Sequence, residues 1–296
     1  MSVDPRRGGR FPLRLDELSS PVKVARTPAM PVTATVPAPA PRLQVTAAAA
    51  RAVLRPQRLV EHAHADAARR VAPSGLGLDS ADVRKRMAQR LRAAGVTSEA
   101  VLAAMATVPR HLFVDAALVT QAYEDTSLPI GHGQTISKPS VVGRMIELLL
   151  GGVTARQSQG LGRVLEIGTG CGYQAAVLST LATQVVSVER LRPLHDKARA
   201  LLAPLRPANL RLVYGDGMRG HPPNAPYDSI IAAAGGDKLP GAWLDQLAVG
   251  GRLVSPLRRP GSDRQVLMVV DRTERGYEHK AFEAVHFVPL KSGLVA

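Results

Sequence analysis

Two stretches of the chain combine backbone freedom and side chains suited to holding a small molecule. Leu165–Gln174, LEIGTGCGYQ, sets Glu166, Gly168, Gly170 and Gly172 in an E-x-G-x-G-x-G pattern. Glycines at that spacing let the backbone turn tightly and approach a ligand with no Cβ between them. Glu189 follows 19 residues after Gly170, at the end of the next apolar run. An acid at that place can accept hydrogen bonds from ribose hydroxyls. Further on, Gly215-Asp216-Gly217 offers a carboxylate able to accept from an adenine amino group. Upstream lies a second Gly-rich segment, LPIGHGQTISKP, from Leu128 to Pro139.

Two cofactor classes compete for the first stretch. Gly170, Gly172 and Ala175 satisfy the loose G-x-G-x-x-G/A fingerprint of nicotinamide enzymes. Glu166 and Asp216 favour S-adenosylmethionine instead. A carboxylate at Glu166 adds negative charge beside a ligand carrying a sulfonium and an ammonium, whereas a pyrophosphate is repelled by it.

These loops need rigid elements on either side. RVLEIG, QVVSVE, LRLVYGD, DSIIAAA and GRLVSPL read as short buried strands; YQAAVLSTLA, LRPLHDKARALLAPL and PGAWLDQLA read as helices. Apolar strands alternating with helices imply right-handed crossovers and a parallel sheet covered on both faces. RQVLMVVDR and YEHKAFEAVHFVPL flank the turn TERG with no helix between, which predicts an antiparallel pair closing the sheet. Before the sheet, the spacing predicts a helix over ADVRKRMAQRLRAA, capped by Asp79 or Ser80 and stopped by Gly95. A second, EAVLAAMATV, is capped by Ser98; a short third spans Asp115–Tyr123; a fourth runs from Pro139 to Leu150, with LPIGHGQTIS a loop before it. The expected fold class is α/β: a doubly wound, mostly parallel, Rossmann-like sheet. A small helical N-terminal lobe precedes it, and an antiparallel strand pair ends it.

Bulk properties agree. Hydrophobic residues make up 45% of the 296 and aromatics only 3%, a core of Ala, Val and Leu suited to helix-and-sheet layers. Cys171 is the sole cysteine, which excludes an intramolecular disulfide and points to a reducing, cytoplasmic setting. No apolar run approaches membrane-spanning length, and the N-terminus lacks a secretory apolar segment. The formal charge is +14, but residues 1–78 hold twelve bases against five acids, so half of that excess sits in a Pro/Ala/Arg-rich stretch. The prolines argue against packed structure there, apart from short helices at Thr46–Leu54 and Leu59–Val71. Residues 1–77 are therefore expected to be a largely disordered basic extension, and 78–296 the folded domain that binds the cofactor. The charge reads as loosely anion-seeking rather than as a specific nucleic-acid groove.

The segment LPIGHGQTIS-x-P resembles the active-site loop of protein-L-isoaspartate O-methyltransferases. The likeness continues through VPRHLFV (Val108–Val114), EIGTGCGYQ, VERL, YGDG, YDSIIAAAG and the terminal FVPL, over roughly residues 80–290 in order. It implies transfer of a methyl group from S-adenosylmethionine to the α-carboxylate of L-isoaspartyl residues in damaged proteins, with collapse of the ester to a succinimide. It also implies Ser137 as the active-site residue, with Thr135 to Ser137 bordering the methyl donor. The resulting site set is Ser137 on the acceptor side. On the cofactor side stand Thr135, Glu166, Gly168, Gly170, Gly172, Glu189, Asp216 and Gly217. The expected partners are isoaspartyl proteins and peptides, with no membrane and no specific nucleic acid, and the expected state is a monomer.

The chemistry suits those residue types. A carboxylate is already anionic at neutral pH, so no general base is required to make the nucleophile. Positioning with water excluded can then supply about 7–11 kcal/mol. His132, between two glycines, either contacts substrate or shapes the loop. Lys138 and Ser140 flank the serine, facing the acceptor or solvent. Cys171 reads as a compact spacer, and Asp228 and Trp243 as structural. No metal site is expected, since His62 and His64 lack partners at ligand spacing. Two alternatives remain: an RNA methyltransferase, against which stands the lack of an Asn/Asp-Pro-Pro-aromatic motif, and a non-catalytic adenosyl-ligand binder.

Overall fold

Neighbouring residues in the apolar runs go to opposite sides of one sheet. Val164 and Val185 pack into one core, while Leu165, Ile167, Val186 and Val188 pack into another. This period of two, with apolar residues on both faces and only Glu166 and Ser187 polar among the buried positions before Glu189, is what a strand covered on both faces requires. The computed structural model describes residues 81–259 and 261–296. The basic extension, its two expected short helices and the cap at Asp79 or Ser80 lie outside the described residues.

The elements, in chain order, begin with α1 (Ala81–Ala93) and α2 (Glu99–Thr107). The hairpin β1 (Leu128–Gly131) and β2 (Gln134–Ile136) leads into α3 (Pro139–Leu150) and α4 (Val153–Ser158). Next come β3 (Arg163–Ile167), α5 (Tyr173–Ser179), β4 (Gln184–Glu189), α6 (Arg192–Leu202) and β5 (Leu210–Tyr214). Last are β6 (Tyr227–Ala232), α7 (Gly241–Gln246), β7 (Leu247–Arg258), β8 (Gln265–Thr273) and β9 (Gly276–Val285). The seven-stranded sheet has the order β5-β4-β3-β6-β7-β8-β9, parallel through β7 and antiparallel from β7 to β9. The chain winds outward from β3 to β5, then returns to pair β6 with the other side of β3. That reversal opens a crevice beyond the C-terminal ends of β3 and β6, where doubly wound sheets bind ligands.

Four details differ from the sequence reading. The segment 128–137 is a paired hairpin rather than a loop, with Leu128 opposite Ile136 and Gly131 opposite Gln134. Its two-residue turn puts His132 (φ 54°) and Gly133 (φ 66°) in the left-handed region, the geometry that matches strand twist. Asp115–Tyr123 forms 3₁₀ rather than α-helix, over Ala116–Gln121. The short helix α4 was not foreseen. The closing strand stops at Val285, and FVPL leaves β8 to form an isolated parallel bridge, Pro289 with Gly235.

Local signals held elsewhere. Ser98 accepts from Val101 N at the start of α2, and Pro139 occupies the first turn of α3, where its missing donor costs nothing. The helical lobe is tied to α3 by Glu147, whose Oε1 accepts from Thr97 N (2.6 Å), Thr97 Oγ1 (2.9 Å) and Ser98 N (2.8 Å). These donors and Arg144 hold the Glu147 carboxyl below its ordinary pKa despite partial desolvation. Trp243 is fully buried and donates Nε1 to Gly217 O (2.7 Å); Asp228 Oδ2 accepts from Arg163 N (2.8 Å), so both serve packing as expected.

Candidate active site

A cavity of about 370 Å³ lies over the crevice, within the range usual for small-molecule sites. Its floor is built by the strand ends: Ile167 at the end of β3 with Gly168, Thr169 and Gly170 after it, Val188 and Glu189 at the end of β4, and Ala233 after β6. The hairpin β1–β2 closes one side through Ile130, Thr135 and Ser137. Gly170 (φ 57°) is a close approach: a Cβ there sits 3.2 Å from Ile130 Cδ1. Bare backbone at this point lets hairpin and loop come together over a ligand.

Glu189 is 5% exposed. Its Oε2 accepts from Gly170 N (2.9 Å) and its Oε1 from Leu191 N (2.9 Å). Each carboxylate oxygen keeps a second acceptor site, so the residue can orient the loop and still receive two hydroxyls. Gln174 also lines the cavity; its Nε2 donates to Glu166 (3.0 Å), while its buried Oε1 has no partner among the described residues. An unpaired buried acceptor costs about 1–3 kcal/mol, a deficit that a cationic ligand group corrects. Apolar walls, a carboxylate placed for hydroxyls and this orphan acceptor together fit an adenosyl ligand with positive charge at its other end.

Beneath the loop runs a buried polar chain. Ser187 donates to Glu166 Oε2 (2.5 Å) and meets Thr169 Oγ1 at 2.6 Å. Glu166 is fully buried, and burial, reinforced by the neighbouring Glu189, pushes its pKa up to about 8 against the Ser187 and Gln174 hydrogen bonds. It is therefore mainly neutral at pH 7 and does not line the cavity, which corrects its expected role as a charge facing the cofactor. Its carboxyl faces the sheet interior and braces Gln174 and the loop from below.

Two further expected cofactor residues are placed differently. Gly172 (φ 92°) lies outside the cavity lining; a Cβ there is 2.8 Å from Leu202 Cδ1, so the glycine serves the packing of α5 on α6. Asp216 is also absent from the lining. Its Oδ1 accepts from Met218 N (3.0 Å) and its Oδ2 from Gly293 N (2.8 Å), so it anchors the C-terminal segment. Thr135, Gly168, Gly170, Glu189 and Gly217 do line the cavity. Cys171 is buried and burial raises its pKa to about 11, so it stays a thiol, as a spacer should.

The C-terminal segment is the wall that motif reading missed. Val288 to Lys291 line the cavity. Gly235 N donates to Val288 O (2.9 Å) and Leu290 N to Gly235 O (2.8 Å). Arg190, directly after Glu189, holds the segment's far end through Nε to Gly293 O (2.9 Å) and Nη2 to Ser292 O (3.2 Å). Its backbone carbonyl accepts from Val295 N (3.0 Å). The only hint in the sequence was FVPL itself.

A second cavity of about 570 Å³ adjoins the first. Thr135, Ser137, Ala233 and Val288 line both, so they form the partition between the two cavities. The Ser137 hydroxyl has no hydrogen-bond partner among the described residues, while its carbonyl accepts from Arg110 Nη2 (2.8 Å). Arg110 is fully buried, donates Nε to Ala122 O (2.8 Å) and sits over the Tyr173 ring at 4.8 Å. One guanidinium thus joins the segment before the hairpin, the hairpin's end and the helix of the cofactor loop. Burial lowers its pKa, with Tyr173 and Cys171 opposing that shift.

Comparison with known proteins agrees with this geometry. The family described as protein-L-isoaspartate(D-aspartate) O-methyltransferase (PCMT) matches residues 82–294. A protein-L-isoaspartate O-methyltransferase of Methylibium petroleiphilum is 57% identical over 295 residues, covering 99% of both chains. One of Ralstonia nicotianae is 51% identical, covering 98% of each. Both alignments extend through the basic N-terminal stretch that the family match leaves out. Among solved structures, a protein-L-isoaspartate O-methyltransferase aligns with TM-score 0.63 and 30% identity over 71% of this chain and 67% of its own. A beta-aspartate methyltransferase structure from Plasmodium falciparum, in complex with S-adenosyl-L-homocysteine, aligns with TM-score 0.59 and 22% identity over 70% of this chain and 98% of its own, a likeness of fold.

Proposed function

Because the chain belongs to the protein-L-isoaspartate(D-aspartate) O-methyltransferase family, we propose that Ser137 and the partition around it present the acceptor carboxylate to the methyl donor. The enzyme transfers a methyl group from S-adenosylmethionine to the α-carboxylate of L-isoaspartyl residues, initiating repair through a succinimide. The observation that carries the site assignment is the pair of adjoining cavities sharing Thr135 and Ser137.

When bound, S-adenosylmethionine would supply an activated methyl group on a sulfonium, whose S–C bond would break as a carboxylate oxygen formed the new O–C bond and S-adenosylhomocysteine left. The chain's own work is positional. Glu189 would receive ribose hydroxyls, Gln174 Oε1 would receive the ammonium, and Gly168 and Gly170 would let backbone close on the ligand. The Ser137 hydroxyl donates to the acceptor carboxylate and fixes which oxygen points at the methyl group. The hairpin and the C-terminal segment exclude water, where fixed donors act more strongly than in bulk solvent. No proton has to be moved in the transfer itself.

The test compares matched isoaspartyl and aspartyl peptides with wild type and Ser137→Ala. We expect methyl ester on the isoaspartyl peptide only, and a loss of about 10- to 100-fold in turnover for Ser137→Ala with S-adenosylhomocysteine affinity little changed. Unaltered turnover in that variant removes the serine from the mechanism.

We further read the enzyme as a cytoplasmic monomer with no specific nucleic-acid partner, on the single free cysteine and the concentration of basic charge before residue 78. No helix among the described residues is long and apolar enough to cross a membrane. Residues 1–77 form an appendage to a catalytic domain of 78–296 in this reading. A chain starting at residue 78 is expected to keep full transfer activity on peptides; a dead truncation contradicts the division.

A further inference from the structure

The second cavity has an unbalanced charge. Its lining holds Lys138 and His286 and no carboxylate. The two come from opposite sides: Lys138 directly follows Ser137 at the start of α3, and His286 directly follows the edge strand β9. Neither has an ion pair among the described residues, and both are exposed. Two acids on the flanking segments have hydrogen-bond partners of their own. Asp125 accepts from Ser140 N and Ser140 Oγ (2.8 Å each), and Glu283 accepts from Arg144 Nε (2.7 Å).

We infer that Lys138 and His286 are specificity-determining residues that favour acceptor peptides carrying an acidic side chain next to the isoaspartyl residue. This rests on the reading of the second cavity as the acceptor side. The reacting carboxylate must stay nucleophilic, so strong pairing of its oxygens with a cation opposes transfer. The Lys138 ammonium at the cavity rim, with the His286 ring as a hydrogen-bonding neighbour, is better used on a neighbouring charge. A peptide in extended form advances about 3.3 Å per residue, so its flanking side chains fall within this cavity while the isoaspartyl carboxylate reaches the partition. The chain's net charge of +14 acts in the same sense by drawing anionic partners toward it.

The experiment uses the full chain and three isoaspartyl peptides identical except for Glu, Gln or Lys beside the isoaspartate, prepared with that residue before it and again after it. At low salt, kcat/KM is expected to fall from Glu to Gln to Lys, by roughly two- to five-fold per step for at least one of the two placements, the size typical of rim charge pairs. The preference should shrink in 0.5 M NaCl, where the screening length falls to a few Å. The Lys138→Gln/His286→Gln double variant should treat the three peptides alike. Equal rates in the wild type at both placements, or a preference that survives in the double variant, overturns the inference. Methyl transfer to none of the peptides, with S-adenosylhomocysteine still bound, overturns the acceptor reading on which it stands.

Discussion

Arg110 Nη2 donates to the carbonyl of Ser137 at 2.8 Å, and the guanidinium that makes this bond is fully buried. The same side chain reaches Ala122 O at 2.8 Å and Thr126 O at 3.5 Å. Three carbonyls from segments with no regular ladder are thereby satisfied by a rigid fork of donors, a geometry that a flexible ammonium does not reproduce.

Replacing Arg110 should therefore affect the acceptor side more than the cofactor side. Arg110→Lys is expected to lower kcat/KM for an isoaspartyl peptide by about 10-fold or more, since misplacement by an ångström can cost up to about 100-fold. S-adenosylhomocysteine affinity should change less than three-fold. Arg110→Met, which leaves buried carbonyls unpaired, should also lower the unfolding free energy by about 2–4 kcal/mol. Comparable losses of cofactor affinity and turnover would show that the residue only holds the fold.

Glu166 predicts a pH dependence of stability. Its pKa is pushed up to about 8 in the folded protein, above the ordinary carboxylate range. Between those values the folded state binds more protons than the unfolded state, so stability falls as pH rises through the window. Glu166→Gln removes that slope. Relative to wild type, the variant should gain stability between pH 5 and pH 8.5, by a few kcal/mol at most. Urea unfolding at the two pH values measures the difference, and parallel behaviour of the two proteins refutes a neutral Glu166.

Gly170 and Gly172 should separate binding from packing. Gly172→Ala sets a Cβ 2.8 Å from Leu202 Cδ1 at a φ of 92°, and should destabilise the protein by about 2–4 kcal/mol. Gly170→Ala places its Cβ at the cavity wall, 3.2 Å from Ile130 Cδ1, and should weaken S-adenosylhomocysteine binding with a smaller change in melting temperature. Calorimetric binding and thermal melts on both variants check this. The opposite ranking contradicts the placement of Gly172 outside the cavity.

The C-terminal wall predicts a cofactor effect from outside any glycine motif. Removing residues 289–296 deletes Pro289, Leu290 and Lys291 from the lining and frees Arg190 and Asp216. S-adenosylhomocysteine affinity should fall by about five-fold or more, the equivalent of losing one partly buried apolar side chain. Unchanged affinity means the segment leaves the ligand's contacts intact.

Much of this protein was legible along the chain because it is locally specified. Strand, glycine turn and helix follow one another in Arg163–Ser179, so the loop and Glu189 at the next strand's end are found without a structure. Pro139 and Ser98 mark helix starts by the same short-range logic. Tertiary structure decided which way the side chains at those positions face. Glu166 reads as a charge beside the loop, but strand alternation turns it into the sheet interior, where burial neutralises it. Gly172 and Gly170 look equivalent in sequence; only the approach of Leu202, 30 residues away, makes one a packing contact and the other a cavity wall. The bonds from Arg110 to Ser137 and from Asp216 to Gly293 span 27 and 77 residues. A pattern of residue types encodes backbone conformation over a turn or a strand. Contacts at such separations exist only once the sheet has fixed which ends of the chain meet.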